Sequence, residues 1–168
     1  VIELNRKTPR IYLISAQLEK IKNFDYENGD KLACLELLIN LEEDRENRPF
    51  LDKIYHQIGQ YHLNNKSEYL AISYYNKSLR TNSRDKELRA RNYQILGDIS
   101  FDYSEYKEAG AYYDSTMSNL VLNSKPYRLI KRKRDNLEDV IYYEDVAQVN
   151  DSILRLVNLP EPERIAFF

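Results

Sequence analysis

Residues 55–79 read YHQIGQYHLNNKSEYLAISYYNKSL, and residues 93–117 read YQILGDISFDYSEYKEAGAYYDSTM. The two stretches agree in residue type at one fixed spacing, that from Gly59 to Gly97, which we call the repeat offset. The matching positions are Tyr55 and Tyr93, Ile58 and Leu96, Gly59 and Gly97, Ala71 and Ala109, Tyr75 and Tyr113, and Leu79 and Met117. Because several classes of residue agree at one offset, the sequence predicts an internal structural repeat.

The same offset extends toward the front of the chain. Ala33 precedes Ala71 by one repeat offset, and Leu37 falls in the register of Tyr75. Where the repeat would place a glycine, however, the residue is Ile21. We therefore predict an earlier copy of the repeat whose first helix is shifted or longer.

Apolar residues recur at three- and four-residue steps along nearly the whole chain, which indicates helices. Each repeat then reads as two helices, and an apolar stripe left on one pair is covered by the next pair. Small residues let the two helices of a pair cross closely. We therefore expect Gly59 and Gly97 on first helices, and Ala33, Ala71 and Ala109 on second helices, to lie at the crossings. We expect Tyr75 and Tyr113 to fill the gap to the following pair.

These residues resemble the tetratricopeptide repeat family, whose signature is an aromatic residue, Leu-Gly, then Ala, an aromatic residue and Ala. The third Ala of that signature is Ser78 in one copy and Thr116 in the other, and the usual closing Pro is absent. The period also exceeds the roughly 34 residues of the family. The resemblance implies an all-α solenoid of antiparallel helix pairs.

We predict one solenoid over residues 1–168, with helix pairs at about 9–43, 47–82 and 86–122. A long helical segment at about 126–159 is expected to close the array, as one helix or as two parted near Asn150. Ala147 follows Ala109 by one repeat offset, which we interpret as coincidence or as the relic of a lost repeat. Residues 160–168 are interpreted as a truncated tail, and the sequence as part of a longer chain.

The composition excludes several classes of function. The formal net charge of −2 gives no broad attraction to nucleic acid or anionic lipid. No apolar run approaches the roughly 20 residues of a membrane span. Cys34 is the only cysteine, so it cannot form an internal disulfide and is expected to pack as a small core residue.

No motif for catalysis, a cofactor or a metal stands out, so we predict no enzyme activity and no cofactor. His56 and His62 are six residues apart and do not share a helix face, which disfavours a two-histidine metal site. Gly59 and Gly97 lie within helical stripes and are not predicted to bind phosphate.

Residues 125–134 contain six basic side chains, which raises nucleic-acid or lipid-headgroup binding as a hypothesis. The favoured interpretation is a solvated helix face, because Lys131–Asp135 and Arg134–Glu138 are four-residue pairs.

The 15 tyrosines exceed what a core needs, and tyrosine is favoured at protein interfaces. In the tetratricopeptide family, the first helices of the pairs line a concave groove that holds a peptide or a partner's helix. The resemblance implies that this groove is lined by Lys53, His56, Gln60, Arg91, Gln94 and Asp98. The family's basic clamp for a C-terminal carboxylate is not reproduced, so a chaperone tail is not the expected ligand.

We therefore predict a monomeric scaffold that binds a protein or peptide. Residues 90–168 also resemble tetratricopeptide lipoproteins of gliding motility and type IX secretion, which implies protein transport and a periplasmic, outer-membrane-attached location through a segment outside this sequence. The alternative is a sensor or regulatory array of a cytoplasmic signalling protein, in which residues 127–159 would form a dimerising coiled coil. The basic residues at 131–134 interrupt the seam of such a coil.

Overall fold

The computed structural model describes residues 9–160 and Glu163, which form helices joined by short turns. These residues contain no β-strand, which confirms the all-α prediction. The α-helices are α1 (Arg10–Lys22), α2 (Lys31–Glu43), α3 (Leu51–Asn64), α4 (Glu68–Arg80), α5 (Lys86–Asp102), α6 (Tyr106–Ser118) and α7 (Lys125–Val157). A short 3-10 helix covers Arg45–Phe50. Apart from Pro160 and Glu163, the predicted tail lies outside the described residues.

Local signals explain where two of the helices begin. The Asp30 carboxylate accepts a hydrogen bond from the Ala33 amide and caps α2. Ser124 caps α7 by accepting from the Tyr127 amide, and Pro126 occupies the first turn, where its missing N–H costs nothing.

The chain divides into two compact units, Val1–Leu96 and Gly97–Phe168, and the division falls within α5. The core of the first unit is contributed by α1, α2 and α3, and its buried residues are Ile14, Ile21, Cys34, Leu38, Leu41, Ile54, Ile58 and Tyr61. The core of the second unit comes from α6 and α7 and contains Ala109, Tyr113, Ile130 and Leu137.

Two turns in the chain have the same geometry and are separated by the repeat offset. Lys66, between α3 and α4, has φ 60°, and Ser104, between α5 and α6, has φ 63°. In each turn the following residue donates its amide hydrogen to the carbonyl five residues earlier, Ser67 to His62 and Glu105 to Ser100, both at 2.8 Å. This is the Schellman ending of a helix, repeated in both hairpins.

A glycine of each hairpin faces a tyrosine ring. A Cβ atom added to Gly59 would lie 2.8 Å from Cε1 of Tyr75, and one added to Gly97 would lie 2.8 Å from Cε1 of Tyr113. At Gly59 the distances to Cε1, Cδ1 and Cζ are 2.8, 3.0 and 3.1 Å, so the glycine lies over the face of the ring. The Tyr75 ring covers the preceding helix of its own pair, because the bare Gly59 backbone leaves room for it. The Tyr113 ring also packs in one cluster with Ile130 and Leu137 of the following helix, α7.

Ala71 and Ala109 are fully buried, whereas Ala33 is exposed. The prediction that Ala33 packs at a helix crossing is therefore wrong. The buried residues of α2 are Cys34, Leu38 and Leu41. Each lies one residue after the position that the repeat offset predicts from the buried residues of α4. Cys34 occupies the buried small-residue position, so the spacing from the first pair to the second is one residue shorter than the repeat offset.

Helix α7 is a single helix of 33 residues without a break at Asn150. Its first half is held by Ile130 and Leu137, which are 0% and 3% exposed, whereas Ala147 lies on the surface. Within the described residues, none of the helices combines the length and the apolar character that crossing a membrane demands.

The basic run at the start of α7 is partly neutralised by acids of its own unit. Lys131 pairs with Asp135 at 2.8 Å, Lys133 with Asp98 at 2.6 Å and Arg134 with Asp114 at 3.1 Å. The predicted Lys131–Asp135 pair is thus present, whereas Arg134 reaches across to α6 rather than along α7 to Glu138.

The glycine–tyrosine contact is tested by adding one methyl group at two buried glycines of the second unit. We predict that Gly97→Ala lowers the free energy of unfolding by about 1–3 kcal/mol, because the Tyr113 ring is buried and cannot withdraw. The matched control is Gly110→Ala, whose new methyl is crowded only by the terminal Cδ1 of Ile141, at 2.9 Å. That terminal methyl can turn aside. Replacing glycine by alanine in a helix gains about 1 kcal/mol of propensity in both variants, so this gain cancels when the two are compared. Urea denaturation measures both variants, and equal stabilities would contradict the contact.

Candidate functional site

A groove of about 490 Å³ opens in the first unit between α1, α3 and α5. Five of the six side chains that the family resemblance assigns to a binding groove line it, namely Lys53, His56, Gln60, Arg91 and Gln94. The sixth, Asp98, does not; it lines a different recess in the second unit.

The groove is polar and its charges balance. Its basic side chains are Lys22, Lys53 and Arg91, and its acidic ones are Glu19, Asp85 and Glu87. Four amide side chains also line it, from Gln57, Gln60, Asn64 and Gln94. An amide side chain both donates and accepts hydrogen bonds, as does each peptide group of a polypeptide backbone.

His56 is the groove residue with the most defined environment. Its Nδ1 lies 2.6 Å from Oδ1 of Asn92, which is 1% exposed. The Asn92 amide nitrogen donates to Oγ of Ser78 at 2.8 Å, and Ser78 donates in turn to the Asp52 carbonyl at 2.6 Å. The chain of bonds runs from the groove into the buried contact between α3, α4 and α5.

This chain determines which nitrogen of His56 carries the hydrogen. The Ser78 hydroxyl gives its hydrogen to Asp52, so its oxygen must accept from the Asn92 NH2 group. The Asn92 oxygen is then the acceptor for His56, and the hydrogen lies on Nδ1. In the neutral ring Nε2 is therefore a hydrogen-bond acceptor, and it is the nitrogen left for a ligand.

Burial lowers the pKa of the His56 imidazole below its ordinary value. The hydrogen bond to Asn92 opposes that shift, the guanidinium of Arg91 adds to it, and the carboxylate of Asp85 opposes it. The net lowering favours the neutral ring at pH 7.

Gln60 and Asp98 hold equivalent positions in the two hairpins. Gln60 donates from Nε2 to the Tyr75 hydroxyl at 2.7 Å, and Asp98 accepts from the Tyr113 hydroxyl at 2.7 Å. Both side chains therefore anchor the tyrosine whose ring covers the glycine of the same pair. Asp98 also binds Nζ of Lys133 at 2.6 Å.

Sequence reasoning missed the buried polar residues behind the groove. Asn92 lies one repeat offset after Ile54 and one before Ile130, and both isoleucines are buried. The signal available in the sequence was a polar residue, Asn92, at a position where the other two copies carry isoleucine. Ser78 was noted only as a departure from the family's alanine, and the structure gives it a hydrogen-bonding role.

His62 and Cys34, the other residues of reactive type, are packed against the rest of the protein and do not line the groove. The His62 ring stacks on Tyr74 with ring centres 5.5 Å apart and does not line the groove. Cys34 is buried, as predicted, and burial raises its pKa, which keeps the thiol protonated. Over residues 9–160 and Glu163, His, Cys, Asp and Glu side chains form no group of three or more that could hold a metal ion.

No protein-family model matches the sequence, and no curated protein matches it.

The lowered histidine pKa values predict a pH dependence of stability. Burial lowers the pKa of His62 as well as that of His56, so the unfolded chain binds protons more readily than the folded one below about pH 6.5. The free energy of unfolding should therefore fall as the pH is lowered from 7 to 5, by at most about 1.4 kcal/mol per pH unit for each histidine. Urea titrations of the wild type, His56→Gln and the double variant with His62→Gln measure the fall. It should shrink in that order, and an equal fall in all three would contradict the assignment.

Proposed function

We propose that the chain is a non-enzymatic scaffold that binds a protein partner, and that the groove between α1, α3 and α5 holds an extended segment of that partner. The observation that carries the proposal is that one and the same groove is lined by Lys53, His56, Gln60, Arg91 and Gln94. These residues come from helices far apart in the sequence, yet they face one common space.

The chemistry of the groove favours a polypeptide over a small charged metabolite. Three cations and three anions line it, so it offers no concentrated field for a phosphate or a carboxylate. The four amides and the Nε2 acceptor of His56 instead offer mixed donors and acceptors, which suit the alternating N–H and C=O groups of an extended backbone. Acidic side chains of the bound segment pair with the cations of the groove, and its basic side chains pair with the anions.

We propose that the helix pairs form a solenoid of the tetratricopeptide type. Two observations support this: the Schellman turns at Lys66 and Ser104, and the ring contacts at Gly59 and Gly97. Both features recur at the repeat offset. Repeated units of this kind present the same face of successive first helices, which is how solenoid proteins build extended binding surfaces.

A non-enzymatic role is supported by what His56 contacts. The Nδ1 hydrogen of His56 is held by the amide oxygen of the buried Asn92. Among the described residues that line the groove there is no serine, threonine or cysteine for it to activate. Its neutral Nε2 suits recognition of a hydrogen-bond donor.

The cellular setting is proposed from resemblance alone, as a periplasmic scaffold of a gliding-motility or type IX secretion apparatus. The unbroken length of α7 favours the second candidate, a cytoplasmic regulatory array that dimerises through this helix. Sedimentation at micromolar concentration separates the two, because the scaffold is proposed to be a monomer. Fractionation of cells producing the protein adds the location: outer-membrane recovery supports the first candidate and cytosolic recovery the second.

The groove is tested by selecting binders from a random peptide library displayed on phage and measuring selected peptides by fluorescence anisotropy. We predict that the double variant Arg91→Ala with Gln94→Ala binds them about tenfold or more weakly, a loss of at least about 1.4 kcal/mol. The matched control is Arg80→Ala with Asn76→Ala, on α4 and away from the groove. Thermal melts verify that both variants fold. A library that yields no binder, or binders that both variants hold equally, would reject the groove.

A further inference from the structure

The second unit contains a recess of its own, of about 650 Å³, between the end of α5, α6 and the middle of α7. Its floor includes Tyr113 and Leu137, which are 2% and 3% exposed. Phe101 and Val140 also line it and are 46% and 38% exposed. It shares no residue with the groove described above.

The charged side chains that line the recess carry a net negative charge. Asp98, Asp102 and Lys133 are its charged residues. Lys133 neutralises Asp98, because its ammonium lies 2.6 Å from the carboxylate that also accepts the Tyr113 hydroxyl. The carboxylate of Asp102 forms no hydrogen bond or ion pair with the described residues, so it is the charge left for a ligand.

Two further features make the recess attractive to a cation. Asp102 is the last residue of α5, where the partial negative charge of the helix end adds to that of the carboxylate. Burial raises the pKa of the Tyr113 hydroxyl, and Asp98 and Asp102 raise it further. The negative charge of Asp102, which Lys133 does not neutralise, thus acts at the floor of the recess.

Helix α7 continues the same chemistry beyond the recess. From Asp135 to Leu154 the helix carries six acidic residues and no lysine or arginine. Leu137 and Val140 line the recess, and three- and four-residue steps place Glu144, Ala147, Asp151 and Leu154 on the same side of the helix. From Val140 onward this face alternates apolar and acidic positions, and Ala147, Asp151 and Leu154 are exposed.

We infer that the recess and this face of α7 form a binding site for a basic, apolar segment of a partner polypeptide, anchored by an arginine or lysine side chain in the recess. The anchoring side chain lays its methylene groups against Phe101, Leu137 and Val140 and brings its charge to Asp102. Basic and apolar positions of the same segment then face Glu144, Ala147, Asp151 and Leu154. Charge complementarity selects this occupant over an acidic or a wholly apolar one.

The existing contact of Lys133 shows that the site tolerates an ammonium group. Its Nζ lies 5.6 Å from the centre of the Tyr113 ring, within cation–π range, and it binds Asp98 at the same time. A second cation at Asp102 would lie along an aromatic wall that includes Phe101 and Tyr106, whose ring centres are 5.6 Å apart. Arginine stacks well on such rings, which favours it over lysine as the anchor.

The test uses three labelled peptides of equal length. The first places leucine and arginine at helical spacing, the second replaces arginine by glutamate, and the third replaces leucine by serine. We expect only the first to bind the wild type with a measurable Kd, and its binding to weaken as salt is raised. In ¹H–¹⁵N spectra it should shift the amides of residues 98–106 and 133–154.

The variants Asp102→Asn and Phe101→Ser should each weaken binding of the first peptide about tenfold. Their matched controls are Glu36→Gln and Leu32→Ser, exposed positions of α2 that line neither cavity, and these should bind like the wild type. Equal binding of the arginine and glutamate peptides, no binding of either, or full binding by Asp102→Asn would overturn the inference. Shifts confined to residues 53–60 and 85–95 would overturn it while leaving the proposed peptide groove intact.

Discussion

The structure depends on one close contact, a tyrosine ring packed against the bare backbone of a glycine in the preceding helix. A side chain as small as a methyl group at Gly59 or Gly97 would stand 2.8 Å from the ring, closer than packed carbon atoms come. Only glycine lets the two helices and the ring occupy this space together. Ala71 and Ala109, fully buried four residues before each tyrosine, keep the second helix equally close.

The same contact fixes polar groups at both candidate sites. Each buried ring ends in a hydroxyl that needs a partner, and that partner is Gln60 in one hairpin and Asp98 in the other. Gln60 lines the groove of the first unit, and Asp98 lines the recess of the second. One packing solution, used twice with a neutral and a charged partner, therefore gives two sites of different chemistry.

The repeat itself could be predicted from the sequence because glycine, alanine and tyrosine serve packing geometry and recur at a fixed offset. The register of the first pair could not. Ala33 matches Ala71 in type at the repeat offset, but the burial of α2 follows Cys34, Leu38 and Leu41, and cysteine does not reveal itself as the small packing residue. A one-residue shift at a helix moves the inward face by about 100°, enough to expose Ala33.

The groove residues on α3 and the start of α5 followed from register and resemblance, because the face of a helix is set by residue spacing. The hydrogen-bond network behind them could not be predicted, because the residue types of Asn92 and Ser78 do not indicate that both are buried and bonded to each other. The recess in the second unit was also missed. Its walls combine the end of α5 with a helix that breaks the repeat pattern, and the charge division along α7 was interpreted only as a basic face paired with nearby acids.

The most direct measurement of the glycine–tyrosine contact is the nuclear Overhauser effect between the glycine Hα protons and the tyrosine ring protons in solution. Gly59 should show strong effects to the ring of Tyr75, and Gly97 to the ring of Tyr113. One Hα of Gly59 should also be shifted upfield, because it lies over the ring face. Glycine Hα shifts at random-coil values, with no effects to either ring, would contradict the packing on which the helix pairs and both sites rest.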